Sequence, residues 1–220
     1  MKVVGIGGGG HAKVIIEILA RAGRLQVVDL VELDEHRFGE VVHGIPVLGG
    51  DELLPRLFSD GIRHAFIGIG GTGDNRPRAE AYDRARQLGF KIVNAIHDRA
   101  VIASSVKFGR GVCIMANVVV NPGAEIGDNV ILNTNCTIEH DCVVGDHVHI
   151  APAATLSGGV RVGRFSHIGT GASVRQGVRI GEYAVVGVGA VVVRDVPDGA
   201  IVVGVPARPL SRGTVPGLGR

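Results

Sequence analysis

From Ile102 to Val192 a bulky apolar residue returns at every sixth position without interruption, beginning Ile102, Phe108, Ile114, Val120, Ile126, Leu132. Four residues after each stands a small or β-branched one, beginning Val106, Val112, Val118, Ala124, Val130, Cys136. A period of six suits neither a helix nor a plain strand. It is the signature of a β solenoid in which each hexad supplies one short strand and one corner. The first and fifth positions of each hexad point inward, and the others face out or form corners. Gly109, Gly127, Gly145, Gly163 and Gly181 recur every 18 residues, so three hexads complete one turn of a triangular prism of short flat faces. The ladder ends at Pro197-Asp198-Gly199.

Ahead of the hexads the pattern alternates. Residues 3–7, 26–31, 65–69 and 91–94 read as strands, and 11–22, 52–58 and 74–88 as helices. Segment 44–49 reads as a turn-rich connection, with Asp51 capping the short helix after it. This order predicts a small parallel sheet with helices on its faces. The expected division is 1–97 for the α/β unit, 98–196 for the prism, and 197–220 for a C-terminal strand (200–203) and a loose tail (211–220).

Composition adds exclusions. Net charge is +2 and aromatics make up 4%, which offers no basic or stacking surface for nucleic acid. No apolar run is long enough for a membrane span, and no signal-peptide pattern opens the chain. Cys136 and Cys142 fall on inward positions and read as core, and Cys113 has no partner. A cytoplasmic protein with reduced thiols is expected.

Two groups carry candidate chemistry. Gly5-x-Gly7-x-x-Gly10 follows a strand and opens a helix, and Asp29 lies 19 residues beyond Gly10. Such a loop brings backbone N–H groups to a phosphate. The sheet is too short for a two-halved dinucleotide fold, and no hydride-transfer domain follows, so a different phosphate-bearing ligand is favoured over a nicotinamide cofactor. A tight turn without a ligand is the plain alternative. The second group is Glu139-His140-Asp141, wholly on outward positions. A carboxylate beside an imidazole can hold it as a general base. Gly158 lies one coil later, where a bare N–H could meet an oxyanion. Asn133 and His149 sit on neighbouring corners. His149 and His167 stack one coil apart, but no Cys or second carboxylate completes a metal site, and none is expected.

These residues resemble the sialic-acid O-acetyltransferase and nucleotide-amino-sugar N-acetyltransferase group of hexapeptide acyltransferases. The similarity runs through residues 7–13, 43–49, 73–76, 93–97, Asn133-Thr134, Ile138-Glu139-His140-Asp141-Cys142 and Gly204-Val205-Pro206-Ala207-Arg208. The resemblance implies a Rossmann-like nucleotide-sugar domain followed by a left-handed parallel β-helix, closed into a homotrimer with acetyl-CoA bound between subunits. It implies His140 as general base, Asp141 as its orienting acid, and Gly158 as the amide on the thioester carbonyl. It assigns Gly8, Gly9, Gly10, His11, Asp34, Asn75, Arg76 and Asn133 to the substrate. It assigns His149, Gly158, Gly204, Pro206 and Arg208 to the cofactor. Two departures stand out. Leu33 interrupts the acidic segment Glu32-Leu33-Asp34 that should read the base, which leaves the base open. Gly70-Gly71-Thr72 lengthens a loop beside the nucleotide pocket.

The expected reaction is direct acetyl transfer to the amine of a nucleotide-linked amino sugar in bacterial surface-glycan synthesis. A sugar hydroxyl is the alternative acceptor, and a non-catalytic prism the lesser alternative. Outward Val119, Val143, Val185 and Val191 favour self-association, and three-fold closure suits a triangular prism.

Overall fold

The computed structural model describes residues 1–210, so the tail expected at 211–220 lies outside the described residues. The N-terminal unit holds β1 (Lys2–Ile6), α1 (Gly10–Ala22), β2 (Gln26–Val31), β3 (Val41–Val42), β4 (Ile45–Gly49), α2 (Leu54–Ser59), β5 (His64–Ile67), α3 (Arg76–Gln87) and β6 (Lys91–Ile92). They form one sheet in the order β3-β4-β2-β1-β5-β6. Only β3 and β4 pair antiparallel; the rest of the sheet is parallel. The sheet is therefore doubly wound about β1, and the Gly7–Gly10 loop opens at its carboxyl edge, where ligands of such sheets bind.

Segment 44–49 departs from the sequence expectation: it is strand β4, not a connection. Val47 pairs with Leu30 of β2. Pro46 lies opposite Val41 of a two-residue edge strand, where a missing N–H costs little. Nor does Asp51 cap a helix; its carboxylate accepts from Arg84 Nη1 at 2.6 Å.

From Ala95 onward the chain winds into a prism with three parallel faces. One face runs from Ala95–Ile96 to Ile201–Val203, and the N-terminal unit shelters its first coils, as far as Ser166. The next, from Val101–Ile102 to Val191–Val192, is bare. The third, from Lys107–Phe108 to Arg179–Ile180, is charged on its outer side. Strand pairs fall 18 residues apart, as Ile131 with His149 and Thr137 with Thr155. The inward residues form one continuous core, with Ile114, Leu132, Ile138, Cys136 and Cys142 fully buried. At the corner after the charged face, glycine is required by close approach: a Cβ on Gly163 would lie 2.6 Å from Glu182 N.

Helix α1 is covered on two sides. Ala12, Ile15, Ile16, Ile18 and Leu19 share one cluster with Val3, Leu30 and Phe66 of the sheet and with Ala95, Cys113, Met115 and Ile131 of the prism. Cys113 is thus an outward prism residue buried beneath a helix.

Helix α3 supplies a second fastening. Arg78 is 1% exposed, and its guanidinium donates to the carbonyls of Asn129 and His147 and to Asn75 Oδ1. Tyr82 Oη donates to Asp128 Oδ2 at 2.8 Å. Beneath them Phe165 and Tyr183, from successive coils, stack with centroids 4.7 Å apart.

Candidate active site

His140 and Asp141 occupy the corner between the bare and the charged face. Asp141 takes a left-handed conformation (φ 60°), which a short polar side chain tolerates better than most. It therefore has a structural task besides a chemical one. Its Oδ2 lies 2.8 Å from His140 Nδ1, so Nδ1 carries the ring proton and Nε2 is left as an acceptor. The imidazole edge lies over Gly158 of the next coil: a Cβ there would stand 2.5 Å from Nε2. Gly159 N–H donates to His140 O at 2.8 Å and fixes the register of the two corners. The Gly158 N–H donates to no group among the described residues.

The close approach makes Gly158 a sharp test. Its φ is not in the left-handed region, so alanine is acceptable to the backbone, yet the added methyl would displace the imidazole. Gly158→Ala is expected to fold with an unchanged melting temperature and to lose about 100-fold in kcat. Retained turnover would separate Gly158 from the chemistry.

Asn133, at the far edge of the bare face, pairs with His149, which lies not on a corner as expected but in the strand His149–Ile150 of the sheltered face. Asn133 Nδ2 lies 3.1 Å from His149 Nε2, and His149 Nδ1 donates to Gly71 O at 2.6 Å. Both ring nitrogens are thus engaged within the protein, and the ring is 7% exposed. In this arrangement His149 supports Asn133 from one nitrogen while the other is held by the loop at Gly71. Its neighbour His167 meets it edge to face at 4.9 Å. Among the described residues no group of three or more His, Cys, Asp or Glu is arranged to hold a metal ion.

Burial, and next the His167 ring, push the His149 pKa down to about 3, and burial with Arg78 nearby pushes His11 to about 4. Below pH 6.5 the unfolded chain takes up protons that the folded chain refuses. The stability these groups contribute is full above pH 6.5 and is lost as pH falls toward 3. The expected loss is about 1.4 kcal/mol per pH unit per group. Melting temperatures across this window should fall steeply for the native chain and less steeply for His149→Asn.

The glycine loop is open where a ligand would need it. A Cβ on Gly9 or Gly10 would meet nothing within 4 Å, and no acidic side chain stands in the first turn of α1. The helix thus brings no carboxylate of its own to its positive end. Gly8 N–H instead donates to Glu32 Oε2 at 2.7 Å, and Arg37 bridges Glu32 and Gly8 O. Sequence reasoning singled out Asp29 and Asp34 here. Asp29 lies inside β2, paired with Val4, and Asp34 caps the short 3₁₀ turn Glu35–Arg37 through His36 N–H. The acid at the loop is Glu32, just past the end of β2, and its position after a strand was the available signal.

The two residues expected from helix α3 divide. Arg76 is exposed and bound to Asp74 at 2.7 Å. Asn75 is 1% exposed; its amide donates to Phe165 O and Ser166 O and accepts from Arg78. Both polar atoms of Asn75 are engaged inside the protein, and its amide fastens the N-terminal unit to the prism. Gly204 and Pro206 lie in an exposed turn where Gly204 O accepts from Val191 N–H of the bare face, and Arg208 follows in a short strand paired antiparallel with Val203.

Comparison with known proteins follows the same two units. The family described as PglD N-terminal domain matches residues 2–85. That described as bacterial transferase hexapeptide (six repeats) matches residues 105–139 and 123–158. PerB from Caulobacter crescentus, solved with CoA and GDP-perosamine, is 46% identical with a TM-score of 0.90, over 96% of this chain and 97% of its own. The acetyltransferase domain of PglB from Neisseria gonorrhoeae, solved with acetyl coenzyme A, is 41% identical with a TM-score of 0.86, over 95% of this chain and 98% of its own. WeeI from Acinetobacter baumannii is 28% identical with a TM-score of 0.84, over 96% of this chain and 100% of its own. No curated protein matches the chain.

Proposed function

Since the chain belongs to the left-handed β-helical hexapeptide acyltransferases with a PglD-type N-terminal domain, we propose that it transfers an acetyl group from acetyl-CoA to the amine of a nucleotide-linked amino sugar. The observation that carries this reading is the His140 corner: an imidazole with Nδ1 held by Asp141 and Nε2 poised over a bare glycine. The amine is preferred to a hydroxyl because PerB, similar from end to end, was solved with an amino sugar nucleotide.

The nucleotide diphosphate is held at the Gly8–Gly10 loop and the head of α1, with Glu32 and Arg37 beside it. His140 Nε2 takes a proton from the attacking amine as the C–N bond forms. The Gly158 N–H stabilises the oxyanion, and the thiol of coenzyme A leaves. The turn at Gly204, which accepts from Val191, lies four coils from the His140 coil, about 19 Å along the prism at strand spacing. An extended cofactor laid along the bare face would span that distance.

In one chain the His140 corner and the Asn133 corner stand on opposite edges of the bare face. Trimerisation about a three-fold axis parallel to the prism would bring the His140 corner of one subunit to the glycine-loop side of the next and complete the site. Val101 on the bare face is 66% exposed, which favours such burial. We place the protein in the cytoplasm, in keeping with three free, buried cysteines; no helix among the described residues is long and apolar enough to cross a membrane.

Thiol release from acetyl-CoA, measured over a panel of nucleotide 3-amino- and 4-amino-sugars, tests the reaction. Release with an amino sugar nucleotide is the expected outcome. Release with sialic acid alone would move the assignment to O-acetylation. Light scattering at micromolar concentration should give three times the chain mass.

A further inference from the structure

Gly71 presents its carbonyl oxygen to His149 Nδ1. A carbonyl only accepts, so the ring proton resides on Nδ1 and Nε2 is a lone pair. Asn133 Oδ1 accepts from Thr134 N–H at 2.8 Å, which decides which end of the amide faces the ring. One Nδ2 hydrogen of Asn133 is therefore held by His149 Nε2, and the other is left for an acceptor outside the chain.

The carbonyl of Gly71 is itself fixed. A Cβ on Gly71 would lie 2.1 Å from Asn75 Oδ1, so the loop packs directly on that side chain. Asn75 is bound to the prism through Phe165 O and Ser166 O. At the other side of the loop a Cβ on Gly70 would lie 3.6 Å from the His11 Cβ, beside the phosphate-binding turn. The loop thus runs from the nucleotide pocket to the Asn133 corner.

We propose that the loop 70–73 is a positioning device: through His149 it aims the free Asn133 N–H as a hydrogen-bond donor to a hydroxyl or carbonyl oxygen of the bound substrates. His149 is then a positioning residue, and only Asn133 touches substrate. The nucleotide-binding unit thereby sets the geometry of the Asn133 corner. The proposal rests on the acetyltransferase reading above for its catalytic consequence, but not for the tautomer.

The test uses the full chain labelled with ¹⁵N-histidine, with the His149 signals identified by their loss in His149→Asn. The native protein should show the Nδ1–H tautomer of His149. In Gly71→Ala the loop must move off Asn75, so His149 should shift toward the Nε2–H form. In that variant kcat should fall about 10- to 100-fold while KM for acetyl-CoA is unchanged. Asn133→Ala should lose kcat to the same degree and keep the His149 tautomer. A native Nε2–H tautomer overturns the proposal, as does a Gly71→Ala protein with tautomer and kcat both intact. Should Gly71→Ala fail to fold, the native tautomer and the kcat of Asn133→Ala decide between the same outcomes. The tautomer is read without substrate. A native chain with the expected tautomer but no transfer activity would therefore count against the acetyltransferase reading and against the substrate contact, and would leave the loop–His149 assignment standing.

Discussion

Replacing His140 with alanine is expected to slow acetyl transfer by about 100- to 10,000-fold, with melting temperature and acetyl-CoA affinity unchanged. The side chain stands on an exposed corner and contributes nothing to the prism core. Its removal takes away the imidazole that lies over Gly158 and leaves the coil-to-coil ladder intact. Asp141→Asn is the finer probe. Asparagine keeps the left-handed corner, so the fold holds. The amide can offer Nδ1 a hydrogen or a neutral oxygen, but not a charge, so kcat should fall with KM little changed. Initial rates with saturating acetyl-CoA, alongside calorimetric melting, check both. Near-normal turnover in His140→Ala would remove the general base from the mechanism.

Replacing Arg78 with leucine should have the largest effect on stability. Arg78 is a buried cation with no carboxylate partner among the described residues, and burial pushes its pKa down to about 10, so it remains charged at neutral pH. Carbonyl oxygens take the place of a counter-ion. Leucine would leave the carbonyls of Asn129 and His147 and the Asn75 Oδ1 without their donor, at about 1–3 kcal/mol for each unsatisfied acceptor. A total near 3 kcal/mol lowers the melting temperature by about 6–12 °C for a chain of this size. Arg78→Lys, which restores charge but not the fork of donors, should recover only part of the loss. A leucine variant that melts with the native protein would show that the Arg78 donors are not needed to hold the two units together.

The prism was legible because its geometry is arithmetic. Inward residues repeat every sixth position, and residues 18 apart are neighbours, so Gly158 could be placed beside His140 by counting. The glycine loop was legible because strand, glycines and helix follow one another in the chain. What escaped reading depends on how the two units meet. Asn75 looks like a surface polar residue after a Gly-Asp turn, and only the approach of a coil 90 residues away turns it into a buried fastener. Arg78 looks like one arginine among several on a solvated helix. His149 looks like a free imidazole until the loop at Gly71 arrives from 78 residues upstream. Strand β4 was hidden by its own punctuation, since Gly44, Pro46 and Gly49 signal turns locally while Val47 is buried against β2.

Because each coil of the prism beyond Ser166 touches only the coils above and below it, length is a free variable of that part of the fold and rotation is not. An insertion of one whole coil, 18 residues by the spacing of its strand pairs, would lengthen the prism and leave every face where it was. An insertion of a single hexad would turn all later faces by a third of a revolution and carry the Gly204 turn off the bare face. Lineages descended from such a chain are therefore free to drift in length by whole coils, and closed to thirds.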